Sequence, residues 1–290
     1  MTDWRAAIGK HHEKVAPHAD AFVLRRSRGE KHPVNDFLFT YYSFSPAKLK
    51  QWVPALGIWI EGVDAQTLAD HPWLQSDKFV LCGGRCGLDE SKLDDRTRNT
   101  AQWIATLCRN ILDRPPRFRC YGLHEWAMVY RQTAEQIRHN EHRLRLPPYD
   151  LSRFVESQAL CCTHYDAFRF FTPEAQPLNS FVPTLDQRPD LEQGACLHAN
   201  MDLYKWSTKL WPWIGSDIVA DAFLLALEGR DLDMRASPYD LHDLGYEPIR
   251  IETPEGRARY EEEQRTLADK ARPLRQRLLG AAEKLSVLRA

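Results

Sequence analysis

The feature that most constrains this chain is a segment, residues 217–229, that is apolar on almost every side when drawn as a helix. Ile218, Val219 and Phe223, with alanines between them, leave few polar positions. Ser216 stands just before the segment and suits a helix N-cap. Because a helix that is hydrophobic all round is normally buried, the segment predicts a helix in the core of the protein.

Two other segments have helical patterns. Apolar residues from Trp103 to Ile111 recur at intervals of three and four, which predicts a core-facing helix over about 97–112. Thr253-Pro254-Glu255 is a strong helix start because proline is favoured at the first helical position. From it we expect a long C-terminal helix over about 254–287.

Short strands are predicted over residues 55–62 and 78–82, where apolar residues lie between turn-forming residues. The chain has 290 residues and is 43% hydrophobic, which is enough to bury a large core. We therefore expect a mainly α (α+β) fold, a helical single domain spanning residues 1–290 with a few short strands.

The charge balance and the cysteine content limit the classes of protein to which this chain can belong. The 39 basic and 40 acidic residues balance, which argues against a surface that binds a polyanion over its whole extent. The chain has seven cysteines, an odd number, no recognisable signal peptide and no long uncharged apolar run. These features predict a soluble cytoplasmic protein that does not enter a membrane. They do not indicate its oligomeric state.

The candidate site centres on the stretch Cys196–Trp206, which is rich in chemically active side chains. A helix should begin there, after Gly194 or Cys196. His198 and Asp202 are four residues apart, so they share one face of that helix. A neutral imidazole and a carboxylate in this arrangement can bind one metal ion, or can pair as a base and the group that orients it.

Two other segments combine a histidine with an acid. His124 and Glu125 follow Gly122 at the start of a predicted helix, where Glu125 could also cap free amides. His164 and Asp166 lie in a segment predicted as a strand running from residue 155 towards 170, on one face of it. Three such segments suggest one shared site, although three histidines in three unrelated polar pockets would give the same sequence.

A metal centre is the first hypothesis for this site. It would be mononuclear or dinuclear and would activate water or dioxygen, with iron or zinc as the divalent metal. The candidate ligands are His124, His164, His198, Asp166 and Asp202.

A second hypothesis needs no metal. Asp202 or Glu125, with His198, would orient water or stabilise a cationic sugar while aromatic rings stack on a heterocycle, as cleavage of an N-glycosidic bond requires. A non-enzymatic binding module could use the same pocket. The residues predicted to bind the substrate are Tyr165, Tyr204, Lys205, Trp206 and Arg235. Arg235 could instead pair with Asp233 or Asp240 within the chain, in a region, 231–240, that has few signals of regular structure.

Several long motifs resemble a bacterial family, common in actinomycetes, whose members are catalogued as 3-methyladenine DNA glycosylase. The similarity spans nearly the whole chain. The motifs are Phe37–Pro46, Gly122–Gln132, Thr163–Pro173, Cys196–Trp206, Leu232–Leu241 and Ile251–Gly256.

This resemblance implies a DNA-repair hydrolase that cleaves the N-glycosidic bond of an alkylated purine, with a nucleobase substrate and DNA as partner. The sequence lacks the helix-hairpin-helix followed by a catalytic Asp that the best-known glycosylase superfamily has, so the resemblance assigns no catalytic residue. The alternative is a His/carboxylate metalloenzyme, a hydrolase or a non-haem oxygenase, acting on a small aromatic or nucleoside-like molecule. A dinucleotide-binding GxGxxG, a P-loop and a GxSxG motif are all absent from the sequence.

Overall fold

The protein is mainly helical. A computed structural model describes residues 3–133, 135–137 and 141–288, and these residues form twelve α-helices, four short 3₁₀ helices and one three-stranded sheet. The predicted mainly α fold with a few short strands is confirmed. The α-helices are α1 Trp4–Ser27, α2 Phe37–Tyr41, α3 Pro46–Lys50, α4 Ala65–Asp70, α5 Asp95–Asp113, α6 Leu123–Ala127, α7 Pro148–Glu156, α8 Tyr165–Phe168, α9 Arg188–Leu191, α10 Leu197–Leu210, α11 Ser216–Ala236 and α12 Pro254–Val287.

The described chain divides into two compact units, so the expectation of a single domain stays a prediction. The first unit contains residues 3–108, 203–224 and 274–288, and the second contains the described residues of 109–202 together with 225–273.

The sheet belongs to the first unit. Its strands are β1 Ile60–Glu61, β2 Phe79–Cys82 and β3 Arg85–Leu88, all antiparallel, in the order β1-β3-β2. The first strand is therefore shorter than the predicted 55–62. Gly83 and Gly84 form the turn between β2 and β3 with φ of 56° and 74°, a left-handed conformation that glycine adopts without strain.

Helix α11 is longer than predicted. The sequence indicated a helix over 217–229 and irregular structure after it, whereas the helix continues to Ala236. Leu232 and Met234 are 3% and 1% exposed, so burial of this last part stabilises the helix despite its charged residues. Gly229 does not end it. A Cβ at this position would lie 2.7 Å from Met201 Cγ, so the glycine allows α10 and α11 to approach closely.

The strand predicted from residue 155 towards 170 is wrong. Helix α7 occupies its beginning, and the short helix α8 starts immediately after His164. Pro147 and Pro148 explain the first error, because a proline at the first helical position favours a helix. His164 is the residue that precedes α8, and Asp166 lies in its first turn. The two side chains are therefore not presented by one strand face.

Four prolines and few apolar residues predict that residues 173–193 form a long loop that could cover a site, but the structure differs. The segment contains a 3₁₀ helix, Gln176–Leu178, and the helix α9. Asn179 connects it to the segment before α8, because its side chain accepts a hydrogen bond from the Cys162 amide at 2.7 Å and donates one to the Cys162 carbonyl at 2.9 Å. Arg188 and Glu192, at the two ends of α9, lie in the interior of the second unit, where they are 3% and 0% exposed.

Candidate functional site

His124 and Asp233 form the shortest imidazole–carboxylate contact in the site. Gly122, with φ of 70°, precedes the one-turn helix α6, which carries His124. Asp233 lies in the last part of α11. The His124 Nε2 is 2.7 Å from Asp233 Oδ1, and the two residues are 5% and 0% exposed. A buried carboxylate is therefore satisfied by an imidazole that lies 109 residues away in sequence.

Arg230 connects Glu125 to Asp233. Its Nη1 donates to Glu125 Oε1 at 3.0 Å and to Asp233 Oδ2 at 2.9 Å. Glu125 thus uses its carboxylate for this buried ion pair, and no side-chain cap is seen at the start of α6. Burial raises the pKa of Glu125, and the neighbouring Asp233 carboxylate raises it further, against the opposing effect of Arg230.

His198, in the first turn of α10, lies between the other two histidines. The centre of its ring is 4.4 Å from that of His124, at an interplanar angle of 81°, and 5.4 Å from that of His164, at 32°. The structure therefore brings all three predicted imidazoles together. We call His124, Glu125, His198, Arg230 and Asp233 the His124 cluster.

Three side chains of the His124 cluster have the arrangement of metal ligands. One ligand atom each from His124, His198 and Asp233 lies within 4.8 Å of the other two. Burial and then the neighbouring His124 lower the pKa of His198 to about 3, so His198 is neutral at pH 7 and keeps a lone pair to donate. Two imidazoles and one carboxylate are a set that binds zinc or iron and leaves positions open.

The charges on His124 and Asp233 depend on each other. Burial alone would lower the pKa of His124, but the Asp233 carboxylate outweighs burial and raises it. Burial likewise opposes the charge on Asp233, and His124 nevertheless brings the pKa of that carboxyl well below its usual range. Without a metal ion the pair is therefore an imidazolium and a carboxylate at mildly acidic pH.

A second group of buried charges surrounds the third histidine. Arg188 Nη2 is bonded to Asp166, and it lies 3.9 Å from Asp202 Oδ2. The Arg188 Nε is 3.5 Å from Glu192 Oε1. We call His164, Asp166, Arg188, Glu192 and Asp202 the His164 cluster, and every member is at most 9% exposed.

His164 differs from His124 in the contacts that its two ring nitrogens make. The residue is 0% exposed, and neither ring nitrogen makes a hydrogen bond. The Nε2 lies 3.4 Å from Glu192 Oε1 and 3.3 Å from Asp202 Oδ2. Both distances exceed those of ordinary hydrogen bonds.

A narrow cleft in the second unit reaches the His124 cluster. Its empty volume, including the open mouth, is about 410 Å³, and His124 and His198 line it. Four cysteines also line this cleft: Cys120, Cys161, Cys162 and Cys196. Burial raises the pKa of Cys120 to about 11 and that of Cys162 to about 12, so these thiols are protonated at neutral pH and are poor nucleophiles.

The predicted substrate-binding residues near the end of α10 lie in the first unit. Tyr204 is 0% exposed, and its ring packs on Phe223 with centres 5.3 Å apart. Trp206 packs on Trp103 at 4.9 Å, and Lys205 Nζ lies 4.7 Å from the centre of the Trp206 ring. These contacts give Tyr204 and Trp206 a role in packing, and their assignment to a substrate cage stays a prediction.

The other two predicted substrate-binding residues lie in the second unit. Arg235 bonds with Asp231 at 2.7 Å and with Glu263. The alternative prediction, that Arg235 pairs with Asp233 or Asp240, is therefore wrong, because its partners are Asp231 and Glu263. Asp233 is bonded to Arg230 instead, because positions 230 and 233 lie on one side of α11. The Tyr165 ring centre is 5.8 Å from the guanidinium carbon of Arg188, at the edge of the His164 cluster.

Four residues that organise the site were not predicted to belong to it: Arg188, Glu192, Arg230 and Asp233. Sequence spacing carried a signal for both pairs. Arg188 and Glu192 are four residues apart, and Arg230 and Asp233 are three apart, as in ion pairs on helices. The signal was missed because both segments were predicted to be irregular.

Comparison with protein-family models, with curated proteins and with solved structures found no match to this chain. Among the described residues, no helix is both long enough and apolar enough to cross a membrane.

Proposed function

We propose that this protein is a metal-dependent enzyme that holds one divalent ion, iron or zinc, with His124, His198 and Asp233. The observation that carries the proposal is the mutual approach of their ligand atoms to within 4.8 Å, beside a cleft that His124 and His198 line. The three residues come from α6, α10 and α11. Titratable side chains with perturbed pKa values that converge beside a cleft are candidates for a functional site.

The chemistry follows from the ligand types. An ion held by two imidazoles and one carboxylate keeps coordination positions for water, dioxygen or a substrate oxygen. Zinc there would favour hydrolysis through activated water, and iron would favour an oxygenase. Arg230 supports this set because it holds the second oxygen of Asp233 at 2.9 Å and so orients the carboxylate.

Glu125 is the proposed proton carrier. It is 6% exposed and shares the Arg230 guanidinium with Asp233. This shared contact places a titratable carboxyl beside the proposed ligand set, where it could give or take a proton. The cleft lined by His124 and His198 is the proposed route by which a small aromatic or nucleoside-like substrate reaches the ion.

The glycosylase activity implied by the family resemblance stays a prediction. The carboxylates assigned to it, Glu125 and Asp202, are 6% and 1% exposed. Glu125 is bonded to Arg230, and Asp202 faces His164 at 3.3 Å. Release of free base from alkylated DNA is the assay for this activity, run on metal-loaded and on chelated protein.

The metal content of the protein tests the proposal directly. Untagged protein would be chelated, reloaded with Zn²⁺ or with Fe²⁺ under anaerobic conditions, and freed of excess metal before elemental analysis. We expect Asp233→Asn and His198→Ala to lose bound metal. Asp231→Asn is the matched control on the same helix, because the Asp231 side chain is 42% exposed and pairs with Arg235. Unchanged metal content in Asp233→Asn would overturn the proposal.

A further inference from the structure

The His164 cluster contains a buried imidazole that its own chain does not satisfy. His164 is 0% exposed, and its Nδ1 and Nε2 both lack a hydrogen-bond partner. Buried polar atoms in native proteins are almost always bonded, so such an imidazole needs an explanation. Its Nε2 is directed between two carboxylates, those of Glu192 and Asp202.

The distances around Nε2 match those between two ligands of one ion. Two atoms bound to the same ion at about 2.0–2.1 Å, at tetrahedral corners, lie about 3.3–3.4 Å apart. Nε2 lies 3.4 Å from Glu192 Oε1 and 3.3 Å from Asp202 Oδ2. Hydrogen bonds to a carboxylate would be shorter, at about 2.7–2.9 Å.

Three acids surround this imidazole and offer oxygen ligands for a cation. Asp166, Glu192 and Asp202 contribute three negative charges, and Arg188 contributes one buried positive charge. Arg169 adds a second at the margin, because its Nε lies 3.3 Å from Asp166 and its side chain is 43% exposed. Carboxylate oxygens and an imidazole nitrogen together form a ligand set for divalent cations such as Zn²⁺ and Fe²⁺.

We infer that His164, Glu192 and Asp202 form a second site for a divalent cation with mixed nitrogen and oxygen ligands, such as Zn²⁺, Fe²⁺ or Mn²⁺. Among the described residues, only the His124, His198 and Asp233 set already has all its ligand atoms within 4.8 Å, so a cation here would draw the two carboxylates closer. The inference uses none of the ligands of the proposed function and does not depend on it.

The two proposed metal sites lie next to each other. The His198 ring, a ligand of the first site, is centred 5.4 Å from the His164 ring. Asp202 and His198 are four residues apart on α10, so one helix face contributes a ligand to each site. With both ions bound, the second unit would hold two neighbouring metal sites, and residues of both could bind one substrate.

Counting the bound ions in variants tests this inference. The chelated protein would be dialysed against Zn²⁺ with Glu192→Gln, Asp233→Asn, the double variant, and Asp190→Asn as matched control, since Asp190 is an exposed acid of α9. We expect two ions in the native protein and in the control, one in each single variant and none in the double variant. A Glu192→Gln protein with as many ions as the native protein would overturn the inference.

The same count separates the two proposals. If one ion is lost only in Asp233→Asn, the second site is refuted and the proposed function stands. If one ion is lost only in Glu192→Gln, the second site stands and the proposed function fails.

A measurement on the native chain avoids the risk that Glu192→Gln unfolds. Metal-free native protein would be titrated with Co²⁺ and followed by its visible absorption, which reports the coordination of the bound ion. Saturation at two equivalents is expected. Saturation at one equivalent, with a spectrum that Asp233→Asn abolishes, would refute the second site.

Discussion

The two clusters use the same residue types but satisfy them differently. In the His124 cluster, the imidazole and the guanidinium contact carboxylates at 2.7–3.0 Å. In the His164 cluster, the imidazole contacts carboxylates at 3.3 and 3.4 Å, and Arg188 approaches two of the three acids at 3.5 and 3.9 Å. The first cluster is thus held together by short hydrogen bonds, whereas the imidazole of the second makes only longer contacts with its carboxylates. Two clusters that differ in this way should respond differently to loss of a charge, to metal and to pH.

Removing the arginine of each cluster should have the largest effect. Arg188→Met leaves three buried carboxylates without their arginine, whereas Arg230→Met leaves two. Breaking a buried ion pair in this way costs about 3–5 kcal/mol of the free energy of unfolding. We expect Arg188→Met at the upper end and Arg230→Met at the lower end, in urea denaturation of chelated protein.

An exposed ion pair supplies the control for these two variants. Lys270 and Glu228 are each about half exposed and 2.6 Å apart, so Lys270→Met should cost about 1 kcal/mol or less. A loss in Arg188→Met no larger than that in Lys270→Met would show that the His164 cluster is not a buried charged network.

Metal should rescue one arginine variant more than the other. Arg188→Met removes the positive charge 3.5 Å from Glu192 Oε1, so the affinity of the His164 cluster for a cation should increase. Zn²⁺ at about 100 times its Kd stabilises a folded protein by about 2.7 kcal/mol per site. We expect the Zn²⁺-induced rise in Tm to be larger in Arg188→Met than in Arg230→Met. Equal rises would remove this distinction between the clusters.

The His124 cluster should give the chelated protein a pH dependence with two opposite limbs. The pKa of His198 is lowered to about 3, so between pH 3 and 6.5 the unfolded state binds more protons and stability falls as pH is lowered. The pKa of His124 is raised, so its contribution is fully present below the unfolded value of 6.5 and is lost as pH rises through the folded value. Denaturation curves at several pH values should therefore give these two groups a combined maximum near pH 6.5.

A single variant isolates the upper limb. Asp233→Asn removes the carboxylate that raises the pKa of His124, so the decline above pH 6.5 should disappear while the lower limb is retained. The same decline in Asp233→Asn as in the native chain would assign it to another group.

The smallest effect is expected at the cleft thiols. Burial raises the pKa of Cys162 to about 12, and a protonated thiol is a weak metal ligand. Cys162→Ala should leave the number of bound Zn²⁺ ions unchanged and alter the free energy of unfolding by about 1 kcal/mol. Loss of an ion would show that a thiolate, and not only nitrogen and oxygen, completes one of the sites.

Sequence reasoning reached the fold class and part of the site for identifiable reasons. Local periodicity is enough to predict a mainly helical chain, and the helix around His198 and Asp202 begins where its glycine and cysteine signals indicated. The convergence of His124, His164 and His198 could be predicted only from the similarity of three short motifs, each of which combines a histidine with an acid. Their contacts span many residues and depend on packing.

The partners of those histidines could not be read from local pattern. Asp233 lies beyond residue 229, where the predicted helix ends, yet the helix continues past Gly229, at which a Cβ would lie 2.7 Å from Met201 Cγ. Arg188 and Glu192 lie in a proline-bearing segment that suggested an exposed loop, and one turn of helix places both of them inside. In each case a long-range contact decided the local structure.

The wide separation of His124 and Asp233 along the chain has a kinetic consequence. We expect residues 109 positions apart to meet late in folding, because the entropy of closing the loop between them opposes the contact until neighbouring structure has formed. A metal ion held by them would therefore bind after the folding transition state. Such an ion should slow unfolding and leave the folding rate almost unchanged. The metal-loaded protein would then be kinetically stable because its native state unfolds slowly.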